Sequence, residues 1–371
     1  MSSKRDKFSL KDKKYMRIAV DIAKSRMGLT GDNPSVGCVI VKNEKIISLG
    51  VTGYNGRPHA ETNAINNSIE NLAGSKMYVT LEPCNHYGKT PPCTNSIIKC
   101  GVKELYYSTD DIDDKVKGKS FSILSKKNIK VSKGLLENEA KELYESYIIN
   151  RKKKLPYVTG KIAISKNKLI YSSDIRKITD KVSDKLTHYL RYKNDSILIS
   201  VKTLNLDNPK LNCRLKGFEK FSPKRIILDK NLDIKLNTYI LKTVKKNNTI
   251  IFYNKHNKSK IKILKKKGVN LFQFNLVNKK HFNLKLILKK LYKIGCKNLL
   301  VEGGDKITKD FLRKRLINKF YLFKSPKKLP KNKKYLNFTS YETLKTKYNY
   351  KSCVSSKLAK DTITIYKRLY V

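Results

Sequence analysis

The chain has no tryptophan, only five histidines, few acids and no long apolar run, and each shortage excludes something. No apolar stretch approaches the roughly 20 residues that a membrane helix needs. The N-terminus, MSSKRDKFSL, is charged and lacks the apolar core of a secretory signal, so a cytoplasmic location is expected. The cysteines number seven, odd and scattered, which argues against a disulfide framework. A close cysteine pair in such a chain points first to metal. The acid shortage is large: 30 Asp+Glu against 82 Lys+Arg leave a formal charge of +52. That balance ordinarily suggests nucleic acid or an anionic surface. Here the excess is mostly lysine, spread over the second half together with Asn, Ile and Tyr, as in NKSKIKILKKKGVN. Such enrichment follows from the codon bias of an AT-rich genome, and the 22 tyrosines form no evident stacking platform. A nucleic-acid partner is therefore not expected.

Apolar residues make up 39% of the 371 positions, enough for two ordinary domains. Residues 1–150 alternate helical and strand-like patterns. Helices are expected over 12–27, from His59 to about Leu72, from Cys93 to Lys99 and over 136–149. Strands are expected over 36–41, 46–51 (after a turn at Asn43 and Glu44), 77–81, 105–108 and 129–131. The charged run RKKKLP near 151–156 marks a domain boundary. Residues 151–371 alternate again, with strands at 157–164, 197–200, 225–229, 249–253, 269–274 and 298–302. Helices fall near 179–192, 284–293 and 306–316. Both halves read as α/β layers around mostly buried sheets, and no internal repeat is evident.

Three short segments carry one chemistry. Pro58-His59-Ala60-Glu61 opens a helix, Glu82-Pro83-Cys84 follows the strand MYVTL, and Cys93 follows the loop NHYGKTPP. One imidazole and two thiolates leave the fourth tetrahedral position of Zn²⁺ open, as a catalytic site requires. Both cysteines precede helix-forming sequence, where a positive helix end favours thiolate. Glu61, two residues past the histidine, is placed to take a proton from water and pass it to departing ammonia. H-x-E followed by P-C and a second Cys is the zinc-deaminase signature. Cys38, Cys100, Cys213, Cys296 and Cys353 have no matching partner in sequence. His86 reads equally as a substrate contact and as a solvated loop histidine.

Most zinc deaminases separate the two cysteines by two residues; here eight intervene. EPCNHYGKTPPC at 82–93, with NPSVGCVIV at 33–41, PHAE at 58–61 and YVTLEPC at 78–84, resembles the bifunctional deaminase/reductase family of riboflavin biosynthesis. The resemblance runs over essentially the whole chain. It implies a three-layer cytidine-deaminase-like domain followed by a dihydrofolate-reductase-like domain, with zinc and NADPH as cofactors. It implies hydrolytic deamination of a phosphoribosylated diaminopyrimidinone, reduction of the ribosyl group, and a homo-oligomer. His59, Cys84 and Cys93 fall on the metal ligands, and Asn33 with Pro34 in a substrate loop. In the second half, SVKTLNLDNPKLNCR at 200–214 and VEGGDKI at 301–307 match the reductase. By this resemblance Ala163, Lys177, Thr203, Asp207, Gly303 and Gly304 meet the cofactor. Lys161, Leu211, Arg214 and Glu302 meet the substrate, with Arg214 on its phosphate. Two stretches depart from the pattern. Ser165-Lys166-Asn167-Lys168-Leu169 stands where the family has Ser-Leu-Asp-Gly-Arg. Ile175 and Lys177 replace a serine and an aromatic residue.

Three other readings remain open: a deaminase with a degenerate second half, a polynucleotide deaminase and a structural zinc protein. The long inter-cysteine loop and the large second domain count against the second. A three-ligand donor set with Glu61 intact counts against the third.

Overall fold

Ser9 starts the first helix: its hydroxyl accepts the Asp12 amide while the Asp12 carboxylate accepts the Ser9 amide, a reciprocal cap. The computed structural model describes residues 7–173, 175, 177–245, 248–331 and 334–368. By contact density the chain divides into two units, Met1–Lys154 and Leu155–Val371.

The first unit runs α1 (Leu10–Arg26), β1 (Gly37–Lys42), β2 (Lys45–Val51), α2 (Ala60–Asn67), β3 (Lys76–Val79), α3 (Cys93–Lys99), β4 (Glu104–Tyr107), α4 (Lys119–Ser125), β5 (Lys130–Lys133), α5 (Glu137–Leu143) and α6 (Glu145–Lys153). Its sheet has the order β2-β1-β3-β4-β5. β1 is antiparallel to both neighbours, while β3, β4 and β5 are parallel. The period-two alternation of each strand sorts residues to two faces. Cys38, Ile40, Met77, Val79, Leu105 and Tyr107 pack with Ala60 and Ala64 of α2, Ile97 of α3 and Leu124 of α4. Val39, Val41, Tyr78 and Tyr106 pack with Met16 and Ala19 of α1. Both faces are covered, giving three layers. The Asn43–Glu44 turn takes positive φ at both residues, +48° and +62°, as a two-residue hairpin demands.

Three expectations are corrected in this unit. The helix expected to reach Leu72 stops at Asn67 and breaks at Ser68, whose extended backbone cannot continue it. The helix expected over 136–149 is two, α5 and α6, parted where Tyr144 leaves helical geometry to bury its ring. Arg151, Lys152 and Lys153, read as linker, form the last turn of α6, where cations suit the helix dipole.

The second unit runs β6 (Tyr157–Ile164), β7 (Leu169–Ser172), α7 (Lys181–Tyr192), β8 (Ser196–Ser200), α8 (Val201–Asp207), β9 (Lys224–Leu228), α9 (Tyr239–Lys242), β10 (Thr249–Tyr253), α10 (Lys258–Lys266) and β11 (Asn270–Gln273). It continues through β12 (Leu276–Val277), β13 (His281–Phe282), α11 (Leu284–Lys293), β14 (Asn298–Val301), α12 (Asp305–Arg313), β15 (Lys319–Lys324), β16 (Tyr335–Asn337), α13 (Thr343–Thr346), β17 (Tyr350–Leu358) and β18 (Asp361–Arg368). The main sheet has the order β11-β10-β9-β8-β14-β6-β15-β18-β17. It is parallel from β11 to β15 and antiparallel at β18 and β17. Leu198, Ile226 and Leu299 join α11 and α12 on one face; Ile199, Ile227 and Leu300 join α8 and α10 on the other. α8, α10, β15, β17 and β18, with the short β7, α9, β12, β13, β16 and α13, were not anticipated. The alternating polar residues of β17, which leave it largely exposed at the sheet edge, give little apolar signal.

Candidate active sites

The zinc-ligand geometry begins with a glycine. A Cβ on Gly50 would lie 2.1 Å from the Ala60 carbonyl, so glycine lets the start of α2 press against β2. Asn63 and Asn67, one turn apart on α2, donate to the carbonyls of Val51 at 2.7 Å and Leu49 at 3.2 Å. The Ser48 hydroxyl donates to Ala64 O. These contacts fix the helix whose N-cap is His59 and whose first turn carries Glu61.

His59 Nδ1 lies 3.3 Å from Cys93 Sγ and 3.5 Å from Cys84 Sγ. All three donor atoms fall within 4.8 Å of one another. A tetrahedral zinc with Zn–S of about 2.3 Å and Zn–N of about 2.0–2.1 Å separates its N and S ligands by about 3.6 Å. The residues therefore fit zinc in both donor type and spacing. One expectation is corrected here. Cys84 is followed by loop rather than helix, and only Cys93 begins one, α3. Cys84 nevertheless meets that helix end through space, because the Cys93 amide donates to Cys84 Sγ at 3.3 Å and the Thr94 amide to Cys84 O. Hydrogen bonding from the Cys93 thiol, opposed by burial and helped by His59, pulls Cys84 down to about 4. The same thiol pair, together with burial, pushes Cys93 up. Hydrogen bonding to Cys84 raises His59 against the effect of burial. Glu61 is 4% exposed, and burial, with Cys84 adding, pushes its carboxyl up to about 7. A buried carboxyl beside the three donors can both accept and return a proton.

Around these residues the inter-ligand segments are held by polar contacts. Glu82, buried, accepts the amides of Asp111, Gly118 and Ser120 at 3.2, 3.0 and 3.1 Å. Ser120 Oγ donates to Pro83 O at 2.6 Å, and Asn85 Nδ2 donates to Val116 O at 3.1 Å. The loop ahead of α4 thus clamps the strand exit that carries Cys84. Asn33 Nδ2 donates to Gly56 O, tying the 30–33 loop to the segment before His59. His86 Nδ1 is buried without a hydrogen-bond partner. Sequence reasoning passed over Glu82, whose anchoring role depends on a loop 29–38 residues away in the chain.

In the second unit a cavity of about 970 Å³ opens at the C-terminal ends of β6, β8, β9 and β14. That is the end of a parallel sheet where ligands bind, and the volume is at the top of the roughly 300–1,000 Å³ usual for ligand pockets. Eight of the expected residues line it. Lys161 and Ala163 come from β6 and Lys177 from the segment before α7. Thr203 and Asp207 come from α8, and Glu302, Gly303 and Gly304 from the β14–α12 turn. Gly304 is the N-cap of α12, and a Cβ there would come 3.6 Å from Thr203 Oγ1, into the cradle between two helix starts. That bare backbone at a helix N-terminus fits a dinucleotide pyrophosphate. Gly303 is glycine for packing, since its Cβ would meet Ile307 Cγ2 at 1.8 Å.

Two expected residues are not brought into this cavity. Leu211 is buried in the core behind the sheet. Arg214 is exposed, its guanidinium donating to Asn212 Oδ1. The residue that reaches Glu302 is Arg191, in the last turn of α7, whose Nε and Nη2 both bond the carboxylate at 2.8 Å. Burial raises Glu302, but the guanidinium outweighs it and holds the carboxyl below its usual range. Burial lowers Lys161, against the attraction of Glu302. The departure at 166–169 is a turn outside the cavity walls: Lys168 takes φ of +64° and pairs with Glu342, and Leu169 is buried. Lys177 does line the cavity, ion-paired to Asp184, and Ile175 is a partly exposed bridge residue. Arg176, between them, lies outside the described residues.

Among the described residues no helix is long and apolar enough to cross a membrane. Residues 9–109 match the cytidine and deoxycytidylate deaminase zinc-binding region, and residues 160–357 match the RibD C-terminal domain. The chain is 39% identical over 318 residues to the riboflavin biosynthesis protein RibD of Aquifex aeolicus, covering 85% of this chain and 87% of that protein. It superposes on form 1 of Acinetobacter baumannii RibD with a TM-score of 0.83 and 27% identity, covering 97% of this chain and 99% of that one. A Thermotoga maritima diaminohydroxyphosphoribosylaminopyrimidine deaminase/5-amino-6-(5-phosphoribosylamino)uracil reductase superposes with a TM-score of 0.82 and 29% identity at the same coverage. A zinc-binding deaminase domain followed by an NADPH-using reductase domain, matched over most of its length by these relatives, places the chain in the RibD family of bifunctional deaminase/reductases of riboflavin biosynthesis, enzymes with small-molecule substrates.

Proposed function

We propose that the first unit deaminates 2,5-diamino-6-ribosylamino-4(3H)-pyrimidinone 5′-phosphate and that the second reduces the product's ribosyl group to ribityl. The observation that carries the first half is the convergence of His59, Cys84 and Cys93 beside the buried Glu61. Zinc held by these three residues supplies Lewis acidity that makes water a nucleophile near neutral pH. Glu61 takes the proton of that water as its oxygen attacks the amino-bearing ring carbon. It then returns the proton to the amine, the C–N bond breaks, and ammonia departs.

NADPH bound in the second unit would supply a hydride to the carbonyl carbon of the opened ribose, whose oxygen would take a proton from solvent. Gly304 and the α12 N-terminus would hold its pyrophosphate, with Thr203 alongside. Lys161 and the Arg191-held Glu302 bind the sugar on the neighbouring wall. Glu302 keeps lone pairs free to accept from sugar hydroxyls, because Arg191 occupies only one direction at each oxygen. The cytoplasm is the proposed location, consistent with seven free cysteines, and a homo-oligomer is the proposed assembly. Replacing Glu61 with Gln tests the deaminase assignment. Zinc content should stay at wild-type level while ammonia release falls at least 10²-fold, the lower bound for losing a general acid–base. Unaltered turnover would remove Glu61 from the mechanism.

A further inference from the structure

The site described above accounts for the metal and the proton but leaves the phosphate of the proposed substrate without a cation in the first unit. We propose that Arg57 reads that phosphate monoester, an inference that rests on the substrate class proposed above. Arg57 stands two residues before His59, and its Nη1 donates to Thr90 Oγ1, three residues before Cys93. Its Nη2 passes 3.6 Å from the position a Cβ would take on Gly88. The guanidinium therefore lies across the loop that joins the two cysteine ligands, next to the segment that delivers the histidine. A third segment closes on the same place. Gly56 adjoins Arg57 and takes φ of +91°, and a Cβ there would lie 2.7 Å from Asn33 Nδ2. Asn33 Nδ2 also donates to Gly56 O at 2.9 Å.

In a chain with 82 cations an unpaired one carries no meaning by itself. Arg57 differs from its neighbours in being half-buried, with no carboxylate partner among the described residues. Arg26 is committed to the Tyr54 ring, 3.8 Å from its centroid, and Lys89 is exposed. A guanidinium has five N–H donors in a planar fork, and Thr90 takes one. The remaining donors suit two oxygens of a phosphate, and Thr90 fixes the fork so that less side-chain freedom is lost on binding. Among the described residues no carboxylate is paired with it, so an anion is the ligand class that satisfies the group.

The test uses zinc-loaded full-length protein and two substrates, the phosphoribosyl diaminopyrimidinone and its dephosphorylated ribosyl counterpart. The quantity read is the ratio of their kcat/KM values for ammonia release, in wild type, Arg57→Ala and Arg57→Lys. A charge-assisted hydrogen bond contributes about 1.5–3 kcal/mol, so Arg57→Ala should reduce the preference for phosphate roughly 10–100-fold, mainly through KM. Arg57→Lys should recover part of it. A preserved ratio in Arg57→Ala, with both substrates slowed equally and zinc content altered, would make Arg57 a loop staple and overturn the inference. Wild-type protein that turns over neither substrate would instead bring down the substrate class, and the inference with it.

Discussion

Replacing Arg191 with Met should destabilise the second unit and stop reduction while leaving the zinc site's chemistry in place. Arg191 and Glu302 are 11% and 12% exposed at their side chains and joined by two parallel 2.8 Å bonds. Removing one partner of a buried pair strands the other charge, at a cost of about 3–5 kcal/mol. For a domain of this size 1 kcal/mol moves the melting midpoint by roughly 2–4 °C, so a fall of roughly 6–20 °C is expected. The pH dependence gives the mechanism its own signature. In the wild type Glu302 titrates below its ordinary 4.5, so the pair's stabilisation is present above that pH and is lost as pH falls through the lowered value. In Arg191→Met burial, the largest influence on Glu302, is opposed only by the weaker attraction of Lys161 and His188, and the carboxyl should rise above 4.5. The folded variant then binds more protons than the unfolded one, and stability falls as pH rises through the raised value. The difference between the two proteins should therefore be large at pH 7 and shrink toward pH 4. Adding Glu302→Gln to the variant removes the stranded charge and should recover part of the loss at pH 7. Thermal melts at pH 4, 5, 6 and 7, with ammonia release from the same samples, read all of this. A melting point within 1 °C of wild type, or a pH-independent loss, would refute the reasoning.

Other residues give shorter tests. Glu82→Ala leaves the buried amides of Asp111 and Ser120 without their acceptor, at about 1–3 kcal/mol each, and frees the more exposed amide of Gly118, so the first unit should melt earlier and bind zinc more weakly in chelator competition. Unchanged zinc affinity would separate Glu82 from the metal site. Gly303→Ala drives a methyl into Ile307 and should cost about 1–3 kcal/mol with loss of NADPH binding; Ile307→Ala, which vacates the space, should restore part of it. No rescue would mean that Gly303 matters for the ligand and not for packing. Asp195 is pushed up to about 6 by burial, so the folded state is penalised as pH rises through that range. Asp195→Asn should gain on wild type from about pH 4 to pH 6, by no more than roughly 3 kcal/mol, and keep that gain above it; a difference that does not change between pH 4 and pH 6 would contradict this.

The zinc site was legible because its chemistry is local. His59 and Glu61 share one turn, Cys84 and Cys93 bracket one loop, and few other arrangements of those residue types open a metal for catalysis. The helix end that serves Cys84 was not legible, because Cys93 supplies it across eight residues of loop. The reductase cavity was legible where short motifs build it, at VEGG and along 200–207. Arg214, which the resemblance put on the substrate, does not line the cavity; its side chain is exposed and bonds Asn212. Arg191 sits at the end of an amphipathic helix, where a cation is unremarkable, and its partner lies 111 residues away. Long-range ion pairs of this kind leave no mark on local periodicity. The departures at 166–169 occupy a turn that does not itself line the cavity, where left-handed backbone at Lys168 costs about 1 kcal/mol of stability.

The most direct measurement is a coupled assay on purified, zinc-loaded protein given the diaminopyrimidinone ribosyl phosphate, with and without NADPH, following ammonia and cofactor absorbance together. Ammonia release in both conditions, with NADPH oxidised only after deamination and with ammonia lost on chelation, is the expected result. Ammonia without NADPH oxidation would contradict a working cavity in the second unit, and no ammonia from zinc-loaded protein would contradict the proposed substrate itself.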